Sequence, residues 1–182
     1  ALGYTPEGVV NWITLMGWSY DDHTEFFTMD DLVQKFSLAH LNPAPAAINF
    51  SKLDHFNGMH IRALPPAELA RRMRPFFVNA GYAVDDDRLL KIVPIIQERL
   101  VTLDDCLAFG GFFFQETVNP NPDDLLGSKM SAAESAHAAR QALQALEIAP
   151  EFTKDGLETP LRAMVEGMGL SAGQVFGILR VA

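Results

Sequence analysis

Apolar residues recur at helical spacing along most of the chain, which is the pattern of helices that bury one face. Val9, Trp12, Ile13 and Met16 share such a face near the start. The same periodicity predicts helices at about 28–36, from 51 onwards, 66–80, 85–100, 132–147 and 159–167, with a last one after residue 171. The pattern therefore predicts a mainly α fold.

Capping residues and prolines divide this pattern into elements. Thr5-Pro6 is a typical helix start, because threonine caps the first turn and proline lacks an N–H that this turn does not need. Capping boxes are predicted where an acidic residue follows a hydroxyl residue by three positions, as in Thr28/Asp31 and Ser131/Glu134. We expect a similar cap at Ser51/Asp54 and a helix start at Thr159-Pro160.

Other prolines mark interruptions. Pro43 and Pro45 favour extended backbone through 42–50, which leaves 47–50 open between a short strand and an irregular segment. Pro75 and Pro94 fall inside predicted helices, where we expect each to bend or split the helix.

The 182 residues are enough for one large domain or two small ones, and 48% of them are hydrophobic. This composition is that of a globular protein and argues against disorder. The sequence has neither an apolar run long enough to span a membrane nor the features of a signal peptide. Cys106 is the only cysteine, so no internal disulfide can form, and we expect a cytoplasmic location.

The net charge is −9, although stand-alone nucleic-acid binders are more often basic. The basic residues are concentrated, since seven of the 14 lie in 61–110 and six of those seven are arginine. Arginine donates two parallel hydrogen bonds to phosphates and base edges. From composition alone, a solvated helix face explains the cluster better than an RNA-binding surface does.

No catalytic site can be identified from motifs. GSKMSAAES (127–135) resembles the lysine–methionine–serine–lysine ATP loop of class I aminoacyl-tRNA synthetases, but Ala132 stands where the second lysine belongs. Ser131 is better explained as a helix cap. The five histidines show no zinc-binding spacing, and Asp85-Asp86-Asp87 suits a helix start better than a calcium loop. We therefore predict neither catalytic nor metal-binding residues.

Three collinear stretches resemble the C-terminal half of bacterial glutamyl-tRNA synthetase. They are GYTPEGVVNWITLMGWS (3–19), FSKLDHFNGMHIR (50–62) and LSAGQVFGILRVA (170–182), and ERLVTLDD (98–105) lies between the last two. The middle stretch is the most specific. It keeps six residues of the family pattern: Lys52, Leu53, Asn57, Gly58, Ile61 and Arg62.

The resemblance implies a helical stem-contact segment over 1–62 and an all-α anticodon-binding domain over 63–182. It also implies a fragment of a ligase that joins glutamate to glutamate tRNA, with its catalytic domain upstream and a truncated C-terminus. ATP and magnesium would belong to that catalytic domain, so we expect no cofactor in this chain and no activity from it alone. Glutamine tRNA stays open as a second substrate. We expect a monomer that binds neither DNA nor membranes.

The same resemblance gives the basic residues a role. Arg99 matches a family position that contacts anticodon bases, and bases splayed out of a loop can be read in this way. The other predicted tRNA contacts would meet phosphates or set the register; they are Arg62, Arg71, Arg72, Arg74, Lys91, Lys52 and Asn57. The alternative hypothesis is a stand-alone helical interaction module that binds no nucleic acid.

Overall fold

The computed structural model describes residues 3–42 and 47–181, and this part of the chain is mainly helical. Its α-helices are α1 Pro6–Leu15, α2 Met29–Lys35, α3 Phe50–Ala63, α4 Pro66–Asn79, α5 Asp86–Ile96, α6 Asp105–Gly110, α7 Ala132–Glu147, α8 Lys154–Gly167 and α9 Ala172–Val181. Short 3-10 turns cover Leu38–His40, Gln97–Arg99, Gly111–Phe114 and Pro122–Leu125. The prediction of a mainly α fold is confirmed.

No strand occurs in the described residues, where the only extended pairing is an isolated bridge between Trp18 and Leu41. Residues 47–49 are irregular and Phe50 already begins α3, so the structure does not form the short strand considered for 47–50. Pro43 and Pro45 lie outside the described residues. No helix in the described ranges is long and apolar enough to cross a membrane.

The chain folds as two compact units, the first ending at Glu116 and the second beginning at Thr117. The predicted boundary between 62 and 63 therefore falls inside the first unit, at the end of α3. That boundary divides the chain by expected function rather than by compactness, and it stays a prediction.

In the first unit, α1 packs along α3 and α4 packs against α5 and α6. Its main core is built on α3 to α6, with Leu69, Met73, Phe77, Val93 and Leu100 all fully buried. Between α5 and α6, Leu100 is therefore fixed in the core, while the residues on either side of it reach the surface. The second unit packs α7, α8 and α9 around Ala138, Val165, Val175 and Ile178.

Most of the predicted helix starts are confirmed, and two are wrong. Thr5, Thr28, Asp85 and Ser131 all cap helices as expected. The helix α3, however, is capped by Asn49, whose side chain accepts a hydrogen bond from the Lys52 N–H, and not by Ser51.

The start of α8 also differs from the prediction. Thr153 caps this helix and Pro160 lies inside it, as Pro75 and Pro94 lie inside α4 and α5. Each proline removes only one backbone donor. The buried face of the helix continues beyond the proline, as the buried Val165 shows in α8. Tertiary packing therefore keeps these helices continuous, and none of them is split.

Candidate nucleic-acid interface

Arg99 lies at the end of the 3-10 turn that follows α5 directly. Leu100, the next residue, is fully buried and points into the core, whereas Arg99 is exposed. Arg99 makes no hydrogen bond or ion pair with any residue that the structure describes. Its guanidinium is therefore free to donate to an external acceptor.

Two side chains fix the turn that carries Arg99. The Gln97 Nε2 lies 3.0 Å from the carbonyl oxygen of Ile61, 3.2 Å from that of Arg62 and 2.9 Å from that of Leu64. On the other side of Arg99, the Asn57 Nδ2 donates to the Val101 carbonyl over 2.6 Å. The turn is thus attached to α3 on both sides of the exposed arginine.

Arg62 lies at this same junction, in the last turn of α3. A β-carbon placed on Gly58 would lie 3.0 Å from the Arg62 Nη1 and 3.4 Å from the Leu100 carbonyl oxygen. The Arg62 guanidinium therefore rests over Gly58, beside the segment that follows Arg99. Its side chain has no hydrogen bond or ion-pair partner among the described residues, and it is exposed.

Three other predicted contacts are exposed but form ion pairs. The side-chain distances are 2.7 Å for Arg71–Glu68, 2.9 Å for Arg74–Asp86 and 2.6 Å for Lys52–Glu25. Exposed pairs of this kind contribute little to stability, so a phosphate can replace the carboxylate at small cost. Arg71 and Arg74 also line a groove of about 220 Å³ between α4 and α5.

Arg72 is used inside the protein. Its guanidinium donates two hydrogen bonds to the Glu7 carboxylate, of 2.9 and 2.8 Å, and one of 2.6 Å to Glu68. Only 20% of the side chain is exposed. Hydrogen bonding to Arg72 lowers the pKa of Glu7, while Arg71, followed by Arg72, lowers that of Glu68 to about 2. The Arg72–Glu7 ion pair joins α1 to α4, and we assign Arg72 a structural role.

Asn57 is also structural, whereas Lys91 lies at the surface. The Asn57 side chain is 0% exposed, and its Oδ1 accepts hydrogen bonds of 2.8 Å from both the N–H and the hydroxyl of Thr5. A side chain buried in this way offers no surface to RNA, and its hydrogen bonds hold the start of α1 against α3. Lys91, on α5, is exposed and makes no hydrogen bond or ion pair with the described residues.

The segment GSKMS does not fit an ATP site. The Ser131 Oγ accepts from the Glu134 N–H over 3.3 Å, while the Glu134 Oε2 lies 2.7 Å from the Ser131 N and 2.6 Å from its Oγ. These hydrogen bonds lower the pKa of Glu134 and use the Ser131 hydroxyl in the helix cap. The predicted capping box is confirmed. No group of His, Cys, Asp or Glu within the described ranges could hold a metal ion.

Gln97 is a residue of this junction that the sequence did not point out. The sequence placed Gln97 inside a helix predicted over 85–100, whereas α5 ends at Ile96, and the three acceptors of this side chain all lie more than 30 positions away. Only the fold brings the end of α3 to this side chain. The sequence contained no signal that could have revealed it.

Comparison with known families identifies the architecture. A family model described as an anticodon binding domain matches residues 68–182, which is well over half of the chain. The chain belongs to this family. The match begins in the first turn of α4 and includes Arg99, while Arg62 lies just before it.

Relatives and solved structures similar to this anticodon-binding domain are glutamate–tRNA ligases. The chain is 40% identical over 186 residues to the ligase of Roseiflexus sp., and 39% identical over 189 residues to that of Chloroflexus aurantiacus. The alignments cover 99% of this chain but only 37% and 38% of those proteins.

A crystal structure of a glutamate tRNA ligase from Elizabethkingia meningosepticum, in complex with its amino acid, has the same fold. The TM-score is 0.76 at 24% sequence identity, and the superposition covers 98% of this chain and 35% of that one.

Proposed function

We propose that this chain is the anticodon-binding part of a glutamate–tRNA ligase and that it binds the anticodon arm of glutamate tRNA. The match of residues 68–182 to the anticodon-binding family carries this proposal. Catalysis in the whole protein would join glutamate to tRNA with ATP and magnesium, both of which the catalytic part would hold. The chain alone would not activate glutamate.

The geometry suggests different roles for the basic residues. Arg99 has a free guanidinium on a fixed turn, which suits bidentate recognition of a base edge. Arg62 and Lys91 are also free, and we propose that they meet phosphates. Arg71, Arg74 and Lys52 would exchange their carboxylate partners for phosphates, whereas Arg72 and Asn57 would act only by holding α1, α3 and α4 together.

Binding to an RNA stem-loop tests this proposal. We would measure the affinity of wild type, Arg99→Ala and Lys91→Ala for a stem-loop with a glutamate anticodon and for one with those bases replaced. Both variants remove one exposed, unpaired positive charge, so they form a matched pair. Arg99→Ala should lose about 1–3 kcal/mol on the cognate loop only, because a base contact carries sequence information.

Lys91→Ala should weaken binding to both RNAs by the same factor and reduce the dependence of affinity on salt, because a phosphate contact releases counterions. If Arg99→Ala weakened binding to both RNAs equally, as Lys91→Ala should, Arg99 would be a phosphate contact. Undetectable binding, or binding that is insensitive to salt, would favour the alternative, an interaction module without RNA. Comparing glutamate and glutamine stem-loops in the same series addresses the second tRNA.

A further inference from the structure

We propose that Gln97 is the positioning residue of the anticodon-reading surface: it fixes the free guanidinium groups of Arg99 and Arg62 in one frame. This inference rests on the proposed function, and it adds a residue to which neither the family match nor the sequence assigns a role. Three observations carry it: the acceptors of Gln97, the second anchor at Asn57, and the position of Arg62.

The acceptors of Gln97 are carbonyl groups at the C-terminus of α3. The last carbonyls of a helix have no N–H donor one turn further on, so they need another partner. Pro65 and Pro66 follow this end and have no N–H to offer. The Gln97 amide donates to the Ile61, Arg62 and Leu64 carbonyls at once, within 3.2 Å of each, and the Ile61 carbonyl also accepts from the Leu64 N–H. The side chain therefore caps α3 from a distant part of the sequence.

This cap also fixes the backbone that carries Arg99. Gln97 is two residues before Arg99, and Val101, which Asn57 holds over 2.6 Å, is two residues after it. Asn57 and the acceptors of Gln97 all belong to α3 or the residue that follows it. The turn is thus a bridge with both ends attached to one helix.

Arg62 belongs to the same frame because its own carbonyl accepts from Gln97. Its guanidinium lies over Gly58, where a β-carbon would lie only 3.0 Å from the Nη1, so the lack of one leaves room for this position. Two free guanidinium groups that share one rigid support keep their separation when RNA arrives. A fixed separation lowers the entropy lost on binding and makes the base contact geometrically selective.

The Gln97 Nε2 has no donor left over for RNA. An amide nitrogen carries two hydrogens, and three carbonyl oxygens already surround it. An effect on recognition that lysine at this position reverses would therefore pass through the geometry of Arg99 and Arg62, because lysine restores the donors but not the Oε1 acceptor. Binding selectivity separates this role from a purely structural one, since general destabilisation changes the affinity for all RNAs alike.

The test uses the whole 182-residue chain and the pair of RNA stem-loops described above. Gln97→Met keeps the length and shape of the side chain but removes its donors. We expect the ratio of affinities for the cognate and base-replaced loops to fall about tenfold, the size of one lost base contact. Gln34→Met is the matched control, because Gln34 is exposed on α2 and makes no hydrogen bond with the described residues.

Two further variants restore or partly keep the Gln97 donors. Gln97→Lys places three donors at the same helix end, where positive charge is favourable, and should restore the ratio even if its charge strengthens binding to both RNAs. Gln97→Asn is one methylene shorter and should give an intermediate ratio. It takes the place of Gln97→Met if that variant does not fold, as judged by thermal unfolding.

A double variant distinguishes positioning from an independent effect. Gln97→Met combined with Arg99→Ala should lose no more selectivity than Arg99→Ala alone, because both changes act through one contact. An unchanged ratio in Gln97→Met, or losses that multiply in the double variant, would overturn the inference and leave the proposed function in place. Failure of the wild type to distinguish the two RNAs would overturn both.

Discussion

One side chain, that of Asn57, ties three segments of the first unit together. Its Oδ1 accepts from the backbone and hydroxyl of Thr5 at the start of α1, and its Nδ2 donates to Val101 after the Arg99 turn. Asn57 itself lies in the middle of α3. An amide is suited to this position because it donates and accepts at once without carrying a charge.

Replacing Asn57 should therefore destabilise the first unit. Asn57→Ala leaves two donors of Thr5 and the Val101 carbonyl without their partner, and we expect a loss of about 3 kcal/mol in the free energy of unfolding. Asn57→Asp should cost at least as much, because a buried carboxylate would face the Val101 carbonyl oxygen. Denaturant unfolding of both variants measures these losses.

Asn79 provides the control for this prediction. It lies in the last turn of α4, is exposed and makes no hydrogen bond with the described residues. Asn79→Ala should change the free energy of unfolding by less than about 0.5 kcal/mol. If Asn57→Ala were equally mild, Asn57 would not be the tie that its hydrogen bonds indicate.

The pairing of individual residues marks the limit of what the sequence could predict. Arg71–Glu68 is a helical pair at three residues' separation and is foreseeable from the pattern. Arg72 looks identical in sequence, yet its main partner is Glu7, 65 positions away. The sequence therefore located the arginine-rich region, but it could not show which arginines remain free.

Among the elements, α7 shows how a local motif can imitate a functional loop. Ser131 begins the helix and Glu134 completes the capping box. Ser131→Ala should lower the free energy of unfolding of the second unit by about 1 kcal/mol, the usual value of a serine cap. The purified chain should also show no glutamate-dependent exchange of pyrophosphate into ATP, because Ser131 is committed to the cap.

Ser128 is the matched control for the cap. It lies three residues before Ser131, is exposed, and its hydroxyl makes no hydrogen bond with the described residues. Ser128→Ala should leave stability unchanged within about 0.5 kcal/mol. Exchange activity above background, abolished by Ser131→Ala, would contradict the structural role and reopen the question of an ATP site.

The helix boundaries show when local signals are sufficient. Thr28 with Asp31 was predicted correctly, since both partners of a capping box are close in sequence. At α3 and α8 several residues can serve as caps, and the fold selects Asn49 and Thr153 rather than the later candidates. Packing of the apolar face extends each helix to the first cap that reaches it, which local propensity alone does not reveal.

For the whole molecule, the question is how an acidic protein could bind RNA. The net charge is −9, but seven of the 14 basic residues lie in 61–110, where they balance seven acidic ones. Several of those acidic groups are already paired, Glu68 with Arg71 and Arg72, and Asp86 with Arg74. Within the part of the chain that the structure describes, Arg62, Lys91 and Arg99 have no such partner. The unpaired basic side chains of this region, rather than the net charge of the chain, are therefore what could attract RNA.

His60 links the stability of the first unit to pH. Its Nε2 lies 3.1 Å from the Asn11 Oδ1, which also accepts from the Phe27 N–H. The hydrogen-bond pattern thus places the proton of the neutral ring on Nε2. Burial lowers the pKa of His60 below its ordinary value of 6.5, and the nearby Glu7 opposes this only in part. The fold therefore prefers the neutral imidazole.

The direction of the pH effect follows from this preference. Below about pH 6.5 the unfolded chain takes up a proton at His60 more readily than the folded chain does, so stability falls as the pH falls. One such proton contributes at most about 1.4 kcal/mol per pH unit. The lowered pKa of Glu7 gives a loss in the same direction, but it begins only below the ordinary pKa of 4.5 for that group. Unfolding between about pH 7 and pH 5 therefore isolates the contribution of His60.

In that window, His60→Gln should show a flatter dependence of the free energy of unfolding on pH than the wild type. The glutamine amide can still donate to the Asn11 Oδ1 but cannot take up a proton. His40→Gln is the control, because the His40 side chain is exposed and makes no hydrogen bond with the described residues, so the slope of this variant should match that of the wild type. If His60→Gln kept the wild-type slope, the proton would be taken up elsewhere, and the link from α3 through Asn11 to Phe27 would not be sensitive to pH.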